Sequence, residues 1–388
     1  MTDRVTSVAV LGSTGSIGRS TLEVIAASGG RLRVAALSAH RNTRVLLEQA
    51  ARTRPRWVVV TDPEAGAGAD FSALAPDTEA LVGPEALVDV AGRPEIDVVV
   101  SAIVGSAGLQ GTWAALEAGK TVALANKETL VVGGPLVTKL ARERNAPLLP
   151  VDSEHSAVFQ ALQSGRREEV RRVVLTASGG PFRNHTPEQL AEVSVEEALA
   201  HPTWNMGPKI TVDSATMMNK ALEMIEARWL FELDPEQISV VIHAQSIVHS
   251  MVEFRDGSVV AQLSPPDMKL PIQYALSYPA RWEGVAERLD FSRAMELTFE
   301  PPDPERFPAL RLGQEVARAG GTAGSVLNGA NEAAVAAFLD GKLRFSQIVP
   351  ACQQVLANHD FDPHPSLDRL LKLDRWARQE VLRWIASS

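Results

Sequence analysis

The sequence predicts an α/β protein: an N-terminal doubly wound Rossmann-type domain, an α+β catalytic domain, and a C-terminal helical domain. Three observations carry this. Short β-branched runs alternate with helical patterns through residues 1–150, a glycine-rich turn follows the first of those runs, and helical spacing takes over after a proline-rich stretch near residue 300. At 388 residues the chain is too long for one ordinary core, and with 45% hydrophobic residues it can fill two or three.

In chain order, the strand candidates are "SVAVLG", "RLRVAALS", "RWVVVT", "IDVVVSAIVG" and "TVALAN". Near-continuous apolar strands separated by helices belong to a parallel sheet covered on both faces. Over residues 151–300, "RRVVLTASGG" reads as a strand, and "VVIHAQSIVHSMVEFRDGSVVAQLS" as strands joined by a tight turn at Asp256-Gly257. "FEPPDPERFP" reads as a linker. Across 301–388, "SVLNGANEAAVAAFLDGKL" and "HPSLDRLLKLDRWARQEVLRWIA" place apolar residues at helical spacing.

Lys and Arg number 38 against 47 Asp and Glu, a net charge of -9 without long runs of one sign. That argues against a general nucleic-acid or membrane-surface binder and leaves a local basic pocket open. The single cysteine, Cys352, has no partner for an internal disulfide. No run reaches the roughly 18 apolar residues of a spanning helix, and the N-terminus lacks a secretory pattern. The expectation is a soluble cytoplasmic protein.

"VAVLG" runs into Gly12, Gly15 and Gly18 and then "RSTLEVIAA". Glycines there permit a tight turn, close approach of backbone N–H groups to a pyrophosphate, and close helix packing. The spacing GxxGxxG departs from GxGxxG, but a strand before and a helix after favour a dinucleotide over a plain βα turn. An NAD enzyme usually carries an acid about twenty residues past the last glycine, and an arginine suits a 2′-phosphate. Ser38-Ala39-His40-Arg41-Asn42 has no acid. NADP(H) is therefore expected, with Arg41 on its phosphate; the alternative is a solvated loop arginine. "SAIVG" (101–105) and "ANKE" (125–128) end strands and fall beside the nicotinamide, where Lys127 faces substrate or remains a surface charge.

In "LPVDSEHSAVFQAL" an extended backbone would turn Asp152 and Glu154 to one side and Ser153 to the other. The two carboxylates either hold a divalent metal or are solvated and cap the following helix. "TVDSATMMNKALEMIEARWLF" reads as one helix capped by Asp213 or Ser214, with Met218, Ala221, Leu222, Ile225 and Trp229 as its core stripe. Thr216, Asn219, Lys220, Glu223 and Ala227 share the opposite arc. That arc is a solvated face with one Lys-Glu pair, or it supplies a third carboxylate, Glu223, and half of a phosphate cradle completed by Ser178 and Ser214. "HPTWNMGPKI" sets His201, Trp204 and Met206 in a polar-aromatic loop that also carries Pro202, Gly207 and Pro208, either a lid or a surface loop anchored by its tryptophan.

At these residues the chain resembles the 1-deoxy-D-xylulose 5-phosphate reductoisomerase family. The blocks are "LGSTGSIG", "LANKE", "PVDSEH", "SGGPF", "HPTWNMGPKITVDSATMMNKALEMIEA", "IHAQSIVHSMV" and "NGANEAAVAAFL", spread over essentially the whole chain. The resemblance implies three domains in a V shape, a homodimer, NADPH, and one Mg²⁺, Mn²⁺ or Co²⁺ ion. It also implies conversion of 1-deoxy-D-xylulose 5-phosphate to 2-C-methyl-D-erythritol 4-phosphate in non-mevalonate isoprenoid synthesis. Matching residue by residue, Asp152, Glu154 and Glu223 are metal ligands, and Ser153 and Lys127 face the substrate backbone. Ser178, Ser214, Asn219 and Lys220 hold the phosphate. His155, His201 and His249 matter for activity, and Trp204 and Met206 lie on the lid. Thr14, Gly15, Ser16, Ile17, Arg41, Asn42, Ala102, Asn126, Lys127, Glu128, Met206 and Gly207 line the cofactor, with His40 where the family commonly has glycine. His243 and Gln245 are read as structural. Rival readings are an NADP-dependent dehydrogenase of the semialdehyde or homoserine type and a non-catalytic NADPH sensor.

Overall fold

The computed structural model describes residues 4–204 and 206–387. They form two compact units. Of the described residues, those within 1–129, 136–156 and 267–287 form the first, and those within 130–135, 157–266 and 288–388 form the second.

The first unit is built on seven strands: β1 (Thr6–Leu11), β2 (Leu32–Ala39), β3 (Trp57–Val60), β4 (Glu79–Val82), β5 (Val98–Ser101), β6 (Thr121–Leu124) and β7 (Leu148–Pro150). Their order is β4-β3-β2-β1-β5-β6-β7, and every pairing is parallel. Val8, Ala9, Val10, Val58, Val60, Val99 and Val100 are fully buried, as a sheet covered on both faces requires. The five strand candidates from the sequence all form. The β4 edge was not legible because its residues are partly exposed, and β7 because only three residues pair. The chain order reverses between β1 and β5, so the crevice beyond their carboxyl ends is the switch point where such sheets take ligands. The Lys269–Ser277 helix packs on the Ser16–Ala26 helix within this unit.

The second unit carries β8 (Val170–Ala177), β9 (Ile238–Ile242), β10 (Val248–Phe254) and β11 (Val259–Leu263) in the order β11-β10-β8-β9. β10 and β11 form the expected hairpin. Gly257 turns it at φ +88°, and Asp256 accepts from the Ser258 N–H at 2.9 Å. The Met218–Leu230 helix lies in a core shared with the helices Ala309–Ala319, Ala323–Leu339, Ile348–Ala357 and Leu367–Ser387. Met218, Ala221, Leu222 and Ile225 are each at most 1% exposed there.

Candidate functional site

In the first unit, β1 ends in Gly12 at φ +85°, a conformation that disfavours any side chain. A Cβ on Gly12 would sit 2.6 Å from the Ala102 carbonyl oxygen, and one on Gly18 would sit 2.5 Å from the Gly12 carbonyl. These two glycines therefore bring the turn against the end of β5 and let the Ser16–Ala26 helix start at once. Ser38 fixes the turn from β2: its hydroxyl accepts from the Gly12 N–H at 3.0 Å and its carbonyl from the Ser13 N–H at 2.8 Å. Thr14, Gly15, Ser16 and Ile17 stay partly or fully exposed at the helix N-terminus, where backbone donors and the helix dipole favour an anion.

His40, Arg41 and Asn42 follow β2 on its exposed end. Asn42 caps the Thr43–Thr53 helix by accepting from Val45. Arg41 is not a loose loop residue, since its Nε donates to Asp62 at the end of β3 at 2.7 Å. The sequence reading missed Asp62; the available signal was an acid before Pro63, the pattern of a helix cap.

Asn126 caps the Lys127–Glu143 helix, accepting from the Thr129 N–H at 3.0 Å. Its amide nitrogen faces the carbonyls of Ile103 and Gly105 and the Glu128 carboxylate at 2.7–2.9 Å. Asn126 thus ties the loop after β5 to the end of β6. Lys127 is no surface charge: it is 8% exposed and its ammonium pairs with the Asp152 carboxylate.

The segment after β7 differs from the extended expectation. Asp152 precedes the Ser153–Ala161 helix, its carbonyl accepting from Ser156 at 2.8 Å, and Glu154 lies in the first turn. Helix formation wins because Asp152 can cap and Ser153, Glu154 and His155 tolerate the turn. Ser153 is not turned aside; its hydroxyl donates to Glu154 at 2.6 Å. One carboxylate oxygen of Asp152 still lies within 4.8 Å of one from Glu154, and the same holds for Asp152 and a nitrogen of the fully buried His155.

In the second unit, β8 ends at Ser178-Gly179-Gly180, with φ +84° and +67° at the two glycines. A Cβ on Gly180 would meet the Ser214 carbonyl at 2.7 Å, so this loop lies directly on Ser214. Ser178 Oγ accepts from the Gly180 N–H at 3.2 Å and lies 3.2 Å from His201 Nε2. His201 Nδ1 accepts from the backbone N–H groups of Thr203 and Trp204, at 3.1 and 2.9 Å. An Nδ1 that accepts twice leaves the ring proton on Nε2, directed at Ser178. Burial lowers the His201 pKa below the usual imidazole value, in keeping with a neutral ring. Trp204 packs toward the buried His249, ring centroids 6.4 Å apart.

The single helix expected over "TVDSATMMNKALEMIEARWLF" is two. Pro208 opens a helix to Ala215 with Gly207 as its cap, and Met217 at φ +60° breaks it from Met218–Leu230. Asp213 and Ser214 therefore sit inside the first helix and do not cap the second. A half-buried and a buried partner hold Asp213 there: Lys209 Nζ at 2.8 Å and Asn331 Nδ2 at 2.8 Å. The break sets Asn219 and Lys220 in the opening turn of the second helix. The solvated-face alternative fails, since Lys220 is 3% exposed and Glu223 and Ala227 are fully buried. Asn219 Nδ2 donates to Glu223 at 2.6 Å, the Lys220 ammonium pairs with Glu223, and Asn219 Oδ1 is buried without a hydrogen-bond partner. His243 lies 2.8 Å from the Thr298 carbonyl and stacks on Phe299, and Gln245 bonds Thr298.

No helix among the described residues is long and apolar enough to cross a membrane. Three family models match the chain in sequence: 1-deoxy-D-xylulose 5-phosphate reductoisomerase over residues 8–134, its C-terminal domain over 148–231, and the DXP reductoisomerase C-terminal domain over 263–380. The 1-deoxy-D-xylulose 5-phosphate reductoisomerase of Rhodopirellula baltica is 50% identical over 96% of this chain and 94% of its own length. That of Heliobacterium modesticaldum is 52% identical over 96% and 95%. Among solved structures, the Zymomonas mobilis reductoisomerase in complex with NADPH superposes with a TM-score of 0.90 at 44% identity, covering 99% of this chain and 100% of that one. A DOX-P reductoisomerase in complex with NADPH, fosmidomycin and magnesium gives 0.92 at 41% identity, covering 98% of each. Identity of this order along nearly the full length, over one shared architecture, means that the chain belongs to the 1-deoxy-D-xylulose 5-phosphate reductoisomerase family.

Proposed function

We propose that this protein converts 1-deoxy-D-xylulose 5-phosphate to 2-C-methyl-D-erythritol 4-phosphate, using NADPH and one divalent cation. The observation that carries it is the buried Lys220–Glu223 pair with Asn219 bonded to it, together with the Ser178–Gly180 loop lying on Ser214, inside a chain related along nearly its whole length to this enzyme family. A non-catalytic sensor or a plain dehydrogenase would have no use for that arrangement.

The residues fit a hard cation. Asp152 and Glu154 offer adjacent carboxylate oxygens, Glu223 is a fully buried carboxylate, and cysteine is absent from the set. Oxygen donors of this kind suit Mg²⁺ or Mn²⁺ rather than zinc. In this reading Asp152, Glu154 and Glu223 hold the ion, which when bound supplies a Lewis acid and a template for vicinal keto and hydroxyl oxygens. NADPH, when bound, supplies the hydride for the rearranged aldehyde.

The chain's own groups orient the substrate and exclude water. Ser178, Ser214, Asn219 and Lys220 bind the phosphate, and Lys220 adds a positive point charge. Phosphate contacts far from the reacting carbons supply binding energy for closing the 201–207 loop, with Trp204 and Met206 covering the site. His201, neutral and donating to Ser178, orients that hydroxyl. Ser153 and Lys127 face the substrate backbone, and His155 and His249 border the reacting centre. Thr14 to Ile17 and Arg41 bind the phosphates of the cofactor, while Ala102, Asn126, Glu128 and Gly207 flank its nicotinamide half. We place the working form in the cytoplasm as a homodimer. The open β11 edge, where Val259 is 53% exposed, supports a second copy there.

The test follows NADPH consumption with deoxyxylulose phosphate, with and without a chelator, and then with Glu223→Gln. Loss of metal or of Glu223 is expected to cut turnover by orders of magnitude while NADPH affinity stays nearly intact. Normal turnover in either case would defeat the reading.

A further inference from the structure

We propose that Asp62 is a positioning residue that sets the preference for NADPH over NADH by holding the Arg41 guanidinium in one orientation. This rests on the reading of Arg41 as the partner of the cofactor's 2′-phosphate.

Asp62 sits at the end of β3, one strand beyond β2 and the residues that follow it. Its two carboxylate oxygens do different jobs. Oδ1 accepts from the Ala65 N–H at 2.9 Å and caps the Pro63–Ala67 helix, which fixes the carboxylate in space. Oδ2 accepts from Arg41 Nε at 2.7 Å. The carboxylate is largely buried, with 9% of its side-chain surface exposed, whereas the Arg41 side chain is 70% exposed. A buried, capped acid thus anchors the near edge of a guanidinium whose remaining surface faces water. Occupying Nε leaves both terminal amino groups in one plane to make the paired hydrogen bonds that a phosphate accepts.

His40 reinforces the arrangement. Its Nδ1 lies 3.1 Å from Thr61 Oγ1 and its Nε2 lies 3.8 Å from Asp62 Oδ2, so the ring borders the same carboxylate. The pKa of Asp62 is held below the usual carboxylate value, first by the Ala65 N–H and then by Arg41, so it is ionised at neutral pH.

Two effects oppose each other. The Asp62 charge repels a 2′-phosphate, and its hydrogen bond removes the rotamer entropy that an exposed arginine would otherwise lose on binding. The guanidinium lies between the two anions, and the Arg41 side chain is open to water, whose high dielectric weakens their repulsion. Ordering should win. NADH, which lacks the phosphate, draws nothing from it.

The experiment measures NADPH and NADH dissociation constants by calorimetry for the wild type, Asp62→Asn, Arg41→Ala and the double variant. Asparagine retains the cap on Ala65 and removes the charged anchor. We expect Asp62→Asn to weaken NADPH on the order of tenfold and leave NADH within twofold, and to have no further effect when Arg41 is already alanine. Equal weakening of both nucleotides, or the same loss with and without Arg41, would assign Asp62 to the cap alone and overturn the proposal. Unchanged or tighter NADPH binding in Asp62→Asn would overturn it too. An Arg41→Ala variant with an unaltered NADPH-to-NADH ratio would instead sink the reading of Arg41 itself.

Discussion

His201 is the residue whose chemistry the sequence could name but not assign. Its Nδ1 accepts two backbone N–H groups and burial disfavours the charged ring, so its folded pKa lies below the unfolded value near 6.5. The unfolded chain then binds more protons between the two values, and stability rises with pH through that window. The contribution of the loop is full above about pH 6.5 and is lost as pH falls through the folded pKa. An NMR titration of the His201 ring should give a midpoint below that of a model peptide, and a midpoint at or above it would contradict the neutral tautomer. Cys352 gives a second expectation. It is fully buried and burial pushes its thiol well up, so it should resist a thiol reagent in the native protein and react stoichiometrically in denaturant. Rapid native labelling would show that the helix packing around it opens readily. Lys127, Lys220 and Glu223 were legible as residue types, but nothing in a linear pattern distinguishes a solvated Lys-Glu pair from one buried to within 3%.

Among elements, the decisive feature is the break at Met217. Of the expected apolar stripe, Met218, Ala221, Leu222 and Ile225 lie in the core and Trp229 packs against it partly buried. Burial does not follow the 3.6-residue period, since Lys220, Glu223 and Ala227 on the opposite arc are buried too. The helical wheel also ran the pattern too far toward the N-terminus, since Pro208 starts its own helix and Asp213 is tied to Lys209 and Asn331. Leu222→Ala should cost about 2–5 kcal/mol in chemical denaturation, the range for emptying a fully buried leucine site, and a cost under 1 kcal/mol would mean that the core is not packed as described. Close approach matters as much as burial. A Cβ on Gly313 would meet both Cα and Cβ of Ala221 at 2.6 Å, so the Ala309–Ala319 helix crosses at a glycine. At Gly180 a positive φ and the Ser214 carbonyl both exclude a side chain. Gly180→Ala should cost about 1–3 kcal/mol from backbone strain, plus whatever the contact adds, and raise the KM for the phosphorylated substrate more than that for NADPH. Equal changes in the two constants would argue for a general loss of fold.

For the whole molecule, the alternation of apolar runs announced a parallel sheet, and all five of the strands expected from it pair in parallel. The return of Asp267–Glu287 to the first unit was not legible, because it depends on one helix finding another far away in sequence. The helices after residue 308 share one apolar core with the Met218–Leu230 helix, so they complete a unit already begun. Truncation after residue 300 should therefore leave that core exposed and yield an aggregating chain without a cooperative melting transition. A soluble, cooperatively melting truncation that still turns over substrate would refute this dependence.

By itself the sequence determined the period of five parallel strands, the glycine turn and the family. These depend on local geometry and on side-chain chemistry carried by neighbouring residues. Only the tertiary structure decided that Asp62 grips Arg41, that Lys220 and Glu223 are buried together, and that the polar helix begins at an αL residue. The first needs the ends of two strands to meet, and the second needs burial, which converts a weak surface pair into a constraint that a linear pattern cannot express.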